Sequence, residues 1–281
     1  MPSIRTLTVL LAALATATPS FAADPYEPDN TASLFEAVAI HGPRQSRDLE
    51  GTGDVDYVVV DVAPRRSYEA SVDTAGYFTA ELTRRGAGNV LQQTGSGVAI
   101  NSTRSATGIL SSWSSHSSSV LNWIESGDHA DRTRFLRIDA NGAVHTAADS
   151  QYTLQLRETT LYCPRYNNTG GQATVLVVQR VGVQESGENT NGCVWTADFY
   201  DQAYNVFGHP LNGSFTGSPS FSSSLAQNGM FVVATPAVAP GSSGSIQIAH
   251  TCGYGRVQAK AVSLEPATGF TFDTTCSTRP E

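Results

Sequence analysis

Apolar and polar side chains alternate in many short runs of this sequence. In the clearest run, residues 151–157, the side chains of Tyr152, Leu154 and Leu156 alternate with polar ones. A period of two places successive side chains on opposite faces of a β-strand. Because no stretch shows the period of 3.6 that an amphipathic helix requires, we expect an all-β fold of antiparallel strands.

The other predicted strands are also rich in β-branched and aromatic residues, and clusters of Gly, Pro, Asn and Ser separate them, as at 186–192, 208–219 and 236–244. Residues 86–131, which include a Ser-rich tract, are predicted to form long surface loops with one or two short strands. Many short strands between turn signals are typical of a β-sandwich. The remaining predicted strands are 54–61, 67–73, 77–82, 133–139, 173–180, 194–200, 230–235, 245–251, 255–262 and 270–274.

The N-terminus has the pattern of a secretory signal peptide. A single Arg5 precedes the apolar run 7–17, and Ser20 and Ala22 supply small residues at the expected cleavage site. We therefore predict a signal peptide over residues 1–22, and a secreted or periplasmic protein. No later apolar run is long enough to predict a transmembrane segment.

Residues 23–281 are long enough for two domains. We predict two tandem antiparallel β-sandwiches, jelly-roll-like or Ig-like, over residues 23–157 and 158–281. The formal net charge of −8 leaves no basic patch that would suit nucleic acid.

All four cysteines lie after residue 158, namely Cys163, Cys193, Cys252 and Cys276. An even number of cysteines in an exported chain predicts disulfides, for which three pairings are possible. We favour Cys193–Cys252 inside the second domain and Cys163–Cys276 between its ends. A zinc site is the alternative, but no two of these cysteines have C-x-x-C spacing.

The sequence contains no recognisable catalytic motif. The run Gly241–Ser245 misses the G-x-S-x-G register, and H-E-x-x-H is absent. His116 and His129 lie in polar loops, and His250 is predicted to be a packed residue at a strand end. We therefore expect a protein that is not an enzyme.

Two acidic motifs stand close together in the first half. The first is Glu-Pro-Asp-Asn at 27–30, and the second is Gly-Asp-Val-Asp-Tyr at 53–57. With the closing run Tyr-Thr-Leu-Gln-Leu at 152–156, they resemble the bacterial pre-peptidase C-terminal domain over residues 24–157. The resemblance implies a small jelly-roll-like sandwich that accompanies secreted enzymes and, in collagen-binding members, binds calcium through these two motifs.

Calcium takes six to eight oxygen ligands. Asp54 and Asp56 are two positions apart, so on a strand both would leave the same face, and the set Glu27, Asp29, Asn30, Asp54 and Asp56 is a candidate calcium site. The alternative is turn chemistry, in which Asp54 caps a turn while Asp29 and Asn30 form Asx-turns.

Residues 159–281 resemble a β-sandwich module of secreted bacterial proteins with no known chemistry, through the runs 161–168, 244–251 and 260–273. Six aromatic residues are candidates for a carbohydrate- or protein-binding platform: Trp113, Trp123, Tyr77, Tyr162, Tyr166 and Tyr254. Of these, Trp113 and Tyr254 are the predicted binding residues, and Trp113, in a polar loop, is the one expected to be exposed. Trp195 alternates with Ala197 and Phe199 and is predicted to be core.

These features predict a secreted, non-catalytic protein that acts in binding or adhesion, or as an accessory module. Its partner would be an extracellular protein or a carbohydrate surface, and its only expected cofactor is calcium. Two alternatives remain: a small exported hydrolase with an unrecognised active site, and a structural envelope protein.

Overall fold

A computed structural model of the 281-residue chain describes residues 25–30, 34–49, 54–74, 78–85, 91–93, 98–102, 108–110, 117–125, 132–139, 150–181, 193–202, 206–215 and 229–279. In these residues the chain forms β-strands and one short 3-10 turn, which confirms the all-β prediction. No helix among them is long and apolar enough to cross a bilayer. The predicted signal peptide and Trp113 lie outside the described residues.

The strands up to residue 158 form two sheets. The first has the order β1-β3-β10-β5-β6, with β8 beside β5, and the second has the order β2-β11-β4-β9-β7. The strands are β1 (Glu36–Ala37), β2 (Gln45–Asp48), β3 (Val55–Asp61), β4 (Ser67–Thr74), β5 (Phe78–Arg85), β6 (Leu91–Gln93), β7 (Val98–Ser102), β8 (Gly108–Leu110), β9 (Ser117–Glu125), β10 (Thr133–Asp139) and β11 (Gln151–Glu158).

The apolar faces of these two sheets form one core. Val58 and Val60 of β3 and Leu154 and Leu156 of β11 are fully buried. They belong to opposite sheets, so the two layers enclose the core between them. The alternation predicted for 151–157 is confirmed, because Tyr152, Leu154 and Leu156 all face inward.

The later strands form one sheet in the order β15-β14-β17-β12-β19-β18-β13-β16. The rings of Trp195 and Phe231, on β14 and β16 near opposite ends of this order, lie 5.4 Å apart. The sheet therefore folds over on itself and closes a second core, in which Trp195 is buried as predicted. The strands are β12 (Leu161–Asn167), β13 (Ala173–Arg180), β14 (Cys193–Asp201), β15 (Val206–Phe215), β16 (Met230–Ala234), β17 (Ser243–His250), β18 (Val257–Glu265) and β19 (Phe270–Thr278).

Several strands differ from the expectations. Residues 208–219 were expected to be a turn region, but 206–215 form the edge strand β15. Residues 86–131 were expected to hold one or two short strands, but they contain β6, β7, β8 and β9, the last of which lies between β4 and β7. Neither β2 nor β12 was predicted. Gly, Asn and Pro have low strand propensity. In β9 and β15, hydrogen bonding to the neighbouring strands overrides that propensity.

A disulfide joins Cys163 of β12 to Cys276 of β19, 113 residues apart. This is the pairing that the sequence analysis favoured for the ends of the second half. Cys252 is also disulfide-bonded. The side chain of Cys193 lies outside the described part of the chain, so its predicted pairing stays a prediction.

Polar contacts join the strands before residue 158 to those after it. The backbone N–H of Tyr254 donates to Oε2 of Glu69 at 2.7 Å, and the guanidinium of Arg157 lies 4.8 Å from the Tyr254 ring centroid. Arg65 forms an ion pair with Asp198 at 3.1 Å. These contacts fix the two sandwiches against each other.

His250, the last residue of β17, lies buried near this contact, and its carbonyl accepts a hydrogen bond from Oγ1 of Thr159. Its Nδ1 accepts the backbone N–H of Cys252 at 3.3 Å. Burial lowers the pKa of His250 from 6.5 to about 4. The imidazole is therefore neutral at pH 7, in keeping with the packed role predicted for it.

The low pKa of His250 predicts acid sensitivity. Below pH 6.5 the unfolded chain takes up a proton at this residue while the folded chain does not, so the free energy of unfolding falls as the pH drops from 6.5 towards 4. Between pH 7 and pH 5 the wild type should lose about 2 kcal/mol more than His250→Gln does. Urea unfolding at both pH values checks this, and an equal loss in both proteins would contradict it.

Candidate metal centre

The residues proposed as ligands lie where the segment 25–30 meets the start of β3. The carbonyl of Asp29 accepts the backbone N–H of Tyr57 at 3.0 Å, which fastens the segment to the strand. The backbone N–H of Asp29 in turn lies 3.3 Å from Oε2 of Glu27. Two acidic side chains are thereby held next to the acidic beginning of β3.

Asp56 occupies the core-facing row of β3. The burial pattern of this strand alternates, and Asp56 shares its inward face with Val58 and Val60. A carboxylate therefore stands where the strand period calls for an apolar residue, and it is 0% exposed. Burying an ionised carboxylate is costly unless something compensates the charge.

Two residues of the opposite sheet meet these acids. Arg47 of β2 and Tyr152 of β11 are directly paired across the strands. Nη1 of Arg47 donates to Oδ2 of Asp29 at 2.6 Å, and the Tyr152 hydroxyl donates to Oδ2 of Asp56. The cluster thus links both sheets of the first sandwich.

Arg47 is held on several sides. Its guanidinium also donates to Oε1 of Gln45 through Nε and Nη2, and it lies 4.4 Å from the ring centroid of Tyr26. The side chains of Arg47 and Asp29 are 0% and 1% exposed. This ion pair supplies one of the positive charges that the buried acids need.

The electrostatics of Asp56 favour a proton or a cation. Burial raises the pKa of Asp56 from 3.8 to about 9; the hydrogen bond from Tyr152 and the charge of Arg47 oppose this rise, while the charges of Asp29 and Asp54 add to it. Burial likewise raises the pKa of Tyr152 well above 10, with Asp56 adding to the effect. Asp56 therefore holds its proton at pH 7 when nothing else neutralises it.

The three carboxylates of Glu27, Asp29 and Asp56 each bring one oxygen within 4.8 Å of the others. Oδ1 of Asp56 is buried and has no hydrogen-bond partner within the described residues. Calcium takes six to eight oxygen ligands from carboxylates, carbonyls and water, and the three carboxylates would supply part of this set. The donor set thus fits a hard divalent cation.

The other two predicted ligands are placed differently. Asp54 precedes β3, and its Oδ1 accepts the backbone N–H of Val55 at 2.9 Å, the capping role that was the alternative in the sequence analysis. Asn30 is exposed. Asp54 is not part of the three-carboxylate cluster, and Asn30 as a ligand stays a prediction. Arg47 and Tyr152 belong to the surroundings of the cluster and were not predicted. The inward row of β11 could have indicated Tyr152, but no local pattern singled out Arg47.

The aromatic candidates are largely used inside the fold. Trp123 and Tyr166 are fully buried, so their prediction as surface binding residues is wrong. Trp123 packs against Tyr68, with ring centroids 5.5 Å apart. Tyr254 is half-buried at the contact between the sandwiches, with its ring 6.2 Å from that of His41.

No protein-family model matches this chain, and no curated protein matches it significantly. Among solved structures, the chain is similar to a protein from Eubacterium rectale described as a candidate secreted protein, with 8% sequence identity and a TM-score of 0.26. The match covers 88% of this chain and 78% of that one. So weak a likeness carries no argument, and the resemblance to the pre-peptidase C-terminal domain stays a prediction.

The cluster predicts different costs for two isosteric substitutions in the metal-free protein. Asp29→Asn leaves the Arg47 guanidinium buried opposite a neutral side chain, which should cost about 3–5 kcal/mol of the free energy of unfolding. Asp56→Asn imitates the protonated acid and can still accept the Tyr152 hydrogen bond, so its cost should stay within about 1 kcal/mol. Urea unfolding in EDTA at pH 7 measures both. Equal costs would contradict the assigned roles.

Proposed function

We propose that this chain is a secreted, non-catalytic binding or accessory protein whose first sandwich is stabilised by a calcium ion held by Glu27, Asp29 and Asp56. The observation that carries the proposal is the buried Oδ1 of Asp56, which faces two further carboxylates without a hydrogen-bond donor in the described part of the chain. A bound calcium ion would supply the positive charge that lets Asp56 ionise inside the core.

The roles of the surrounding residues follow from their contacts. Arg47 neutralises part of the charge of Asp29, and Tyr152 orients Asp56 by its hydrogen bond. The ion would join the segment 25–30 to β3 and, through Arg47 and Tyr152, to the opposite sheet. Calcium would therefore link the two sheets of the first sandwich, which is a structural role.

Two features support export. The N-terminus carries a predicted signal peptide, and the Cys163–Cys276 disulfide is of a kind that persists in oxidising compartments. A disulfide and a calcium ion would both stabilise a chain that works outside the cytoplasm. The partner would be an extracellular protein or carbohydrate surface.

Calcium should raise the melting temperature of residues 23–281. For a Kd of about 0.1 mM, in the range of extracellular modules, calcium at about 100 times Kd adds about 2.7 kcal/mol. That corresponds to a rise in Tm of roughly 5–10 °C for a chain of this size. Thermal melts in EDTA and in calcium measure the rise, with magnesium as the ion control.

Three variants test which residues respond. Asp56→Asn should fold in EDTA but lose the calcium-dependent rise in Tm. Asp61→Asn on the same strand is the matched control, since the Asp61 side chain is 75% exposed and should leave the rise intact. Asp54→Asn should also keep most of it. A rise that persists in Asp56→Asn, or no rise in the wild type, would overturn the calcium site.

A further inference from the structure

A groove at one end of the second sandwich lies far along the chain from the acidic cluster. Its cavity of about 250 Å³ spans neighbouring strands β12, β19 and β18 and the turn before β13. The residues lining it are Arg165, Asn167, Gln172, Ser263, Glu265, Phe270 and Phe272.

The groove continues the core-facing surface of two strands beyond the end of the core. Ser263 pairs with Phe272 and Glu265 pairs with Phe270, so all four side chains share one face of the β18–β19 hairpin. Further along β18 the same face carries Ala261, which is buried in the core. The face that packs in the middle of the sandwich is thus left open at its end.

The groove opens because the two strands beside it diverge. β12 and β19 pair only at Leu161–Tyr162 with Ser277–Thr278, and the register of β12 against β17 shifts between Cys163 and Tyr166. Phe270 and Phe272 are therefore only partly covered, with 64% and 40% of their surfaces exposed. The two exposed rings therefore form a small apolar surface on one face of the hairpin.

Hydrogen bonds among neighbouring side chains hold the polar residues of the groove in place. Oγ1 of Thr174 lies 2.8 Å from Oγ of Ser263 and donates to the carbonyl of Asn167 at 2.9 Å. Nδ2 of Asn167 donates to Oε1 of Gln172. This network fixes the amide groups without consuming all of their hydrogen-bonding capacity.

Several polar groups remain available to a ligand. Nε2 of Gln172 and the guanidinium N–H groups of Arg165 have no acceptor within the described residues, and Glu265 uses only Oε2, which accepts from Thr268. The Arg165 guanidinium lies 5.3 Å from the ring centroid of Phe272, within the range of a cation–π contact. Donors and an acceptor therefore lie beside two partly exposed aromatic rings.

We propose that this groove binds a neutral sugar ring. The C–H face of a pyranose is apolar and carries partial positive charge, which suits the negative face of an aromatic ring, while its hydroxyl groups need donors and acceptors together at the rim. One guanidinium and one carboxylate give the lining no net formal charge, and the chain's charge of −8 disfavours polyanions. The cavity is smaller than a pocket for drug-sized ligands, as a single sugar ring requires.

The size of the apolar patch argues against a protein partner. Stable protein interfaces bury about 800 Å² on each side around an apolar centre, whereas only two rings are apolar among the seven residues that line this groove. Leu264, the neighbouring exposed apolar residue, alternates onto the other face of β18 and cannot extend the patch. The inference rests on the proposed binding role but not on calcium.

Affinity electrophoresis in native gels that contain neutral glucans, mannans or galactans tests the proposal. At least one polysaccharide should retard the wild-type chain, with a dissociation constant in the millimolar range per sugar ring. Phe270→Ala and Phe272→Ala should each weaken binding about tenfold. Leu264→Ala on the same hairpin but the opposite face is the matched control and should bind like the wild type.

Three results would overturn the proposal. The first two are no retardation by any of these polysaccharides at their solubility limits, and retardation that survives in the Phe270→Ala/Phe272→Ala double variant. The third is self-association of the wild type, seen by sedimentation velocity, that the double variant abolishes, because it would assign the groove to a second copy of the chain.

Each gel is run in EDTA and in calcium, and the melts are repeated on the same samples. A calcium-dependent Tm without sugar binding then refutes only the groove, and sugar binding without a calcium response refutes only the metal centre.

Discussion

The first sandwich depends on a group of charges that is buried between its two sheets. Arg47 reaches from the second sheet to Asp29 at the edge of the first, and both side chains are almost completely excluded from water. Such a pair tolerates neither separation nor loss of one partner, because an unpaired buried charge costs several kcal/mol. The segment 25–30, β2 and β3 must therefore meet in one arrangement. The hydrogen bond from Tyr152 of the second sheet to Asp56 of the first extends the constraint to β11.

The two candidate sites divide stability and recognition between the sandwiches. The acidic cluster is buried and connected to both sheets, so a cation there would change the free energy of unfolding more than it would change the surface. The groove at Phe270 and Phe272 is open, and its lining is organised by hydrogen bonds that do not depend on the first sandwich. A rigid platform with exposed rings binds at a low entropic cost, because little has to be ordered when a ligand arrives. The contacts of Glu69 and Arg157 with Tyr254 join the two sandwiches.

Much of the strand pattern could be predicted from the sequence, because the period of two is a local property. Thr133–Asp139 and Ala173–Arg180 were predicted with the bounds that the structure has. The prediction failed at Ser117–Glu125 and Val206–Phe215, where Ser, Gly, Asn and Pro disfavour a strand in isolation. There the neighbouring strands β4 and β14 supply the pairing partners. Long-range hydrogen bonding of this kind leaves no local signal in the sequence.

The sequence by itself determined the all-β class, the inward rows of the strands and the two acidic motifs of the first half. Each of these follows from spacing along a single strand or turn. Only the tertiary structure decided that Asp56 joins Glu27 and Asp29 while Asp54 caps its own strand, and that Arg47 completes the group from a strand that pairs with β11. The same holds for the groove, where Arg165 meets Phe272 more than a hundred residues later. Sheet order and the folding of one layer over another decide which side chains share a site, and neither is encoded in the period of any one strand.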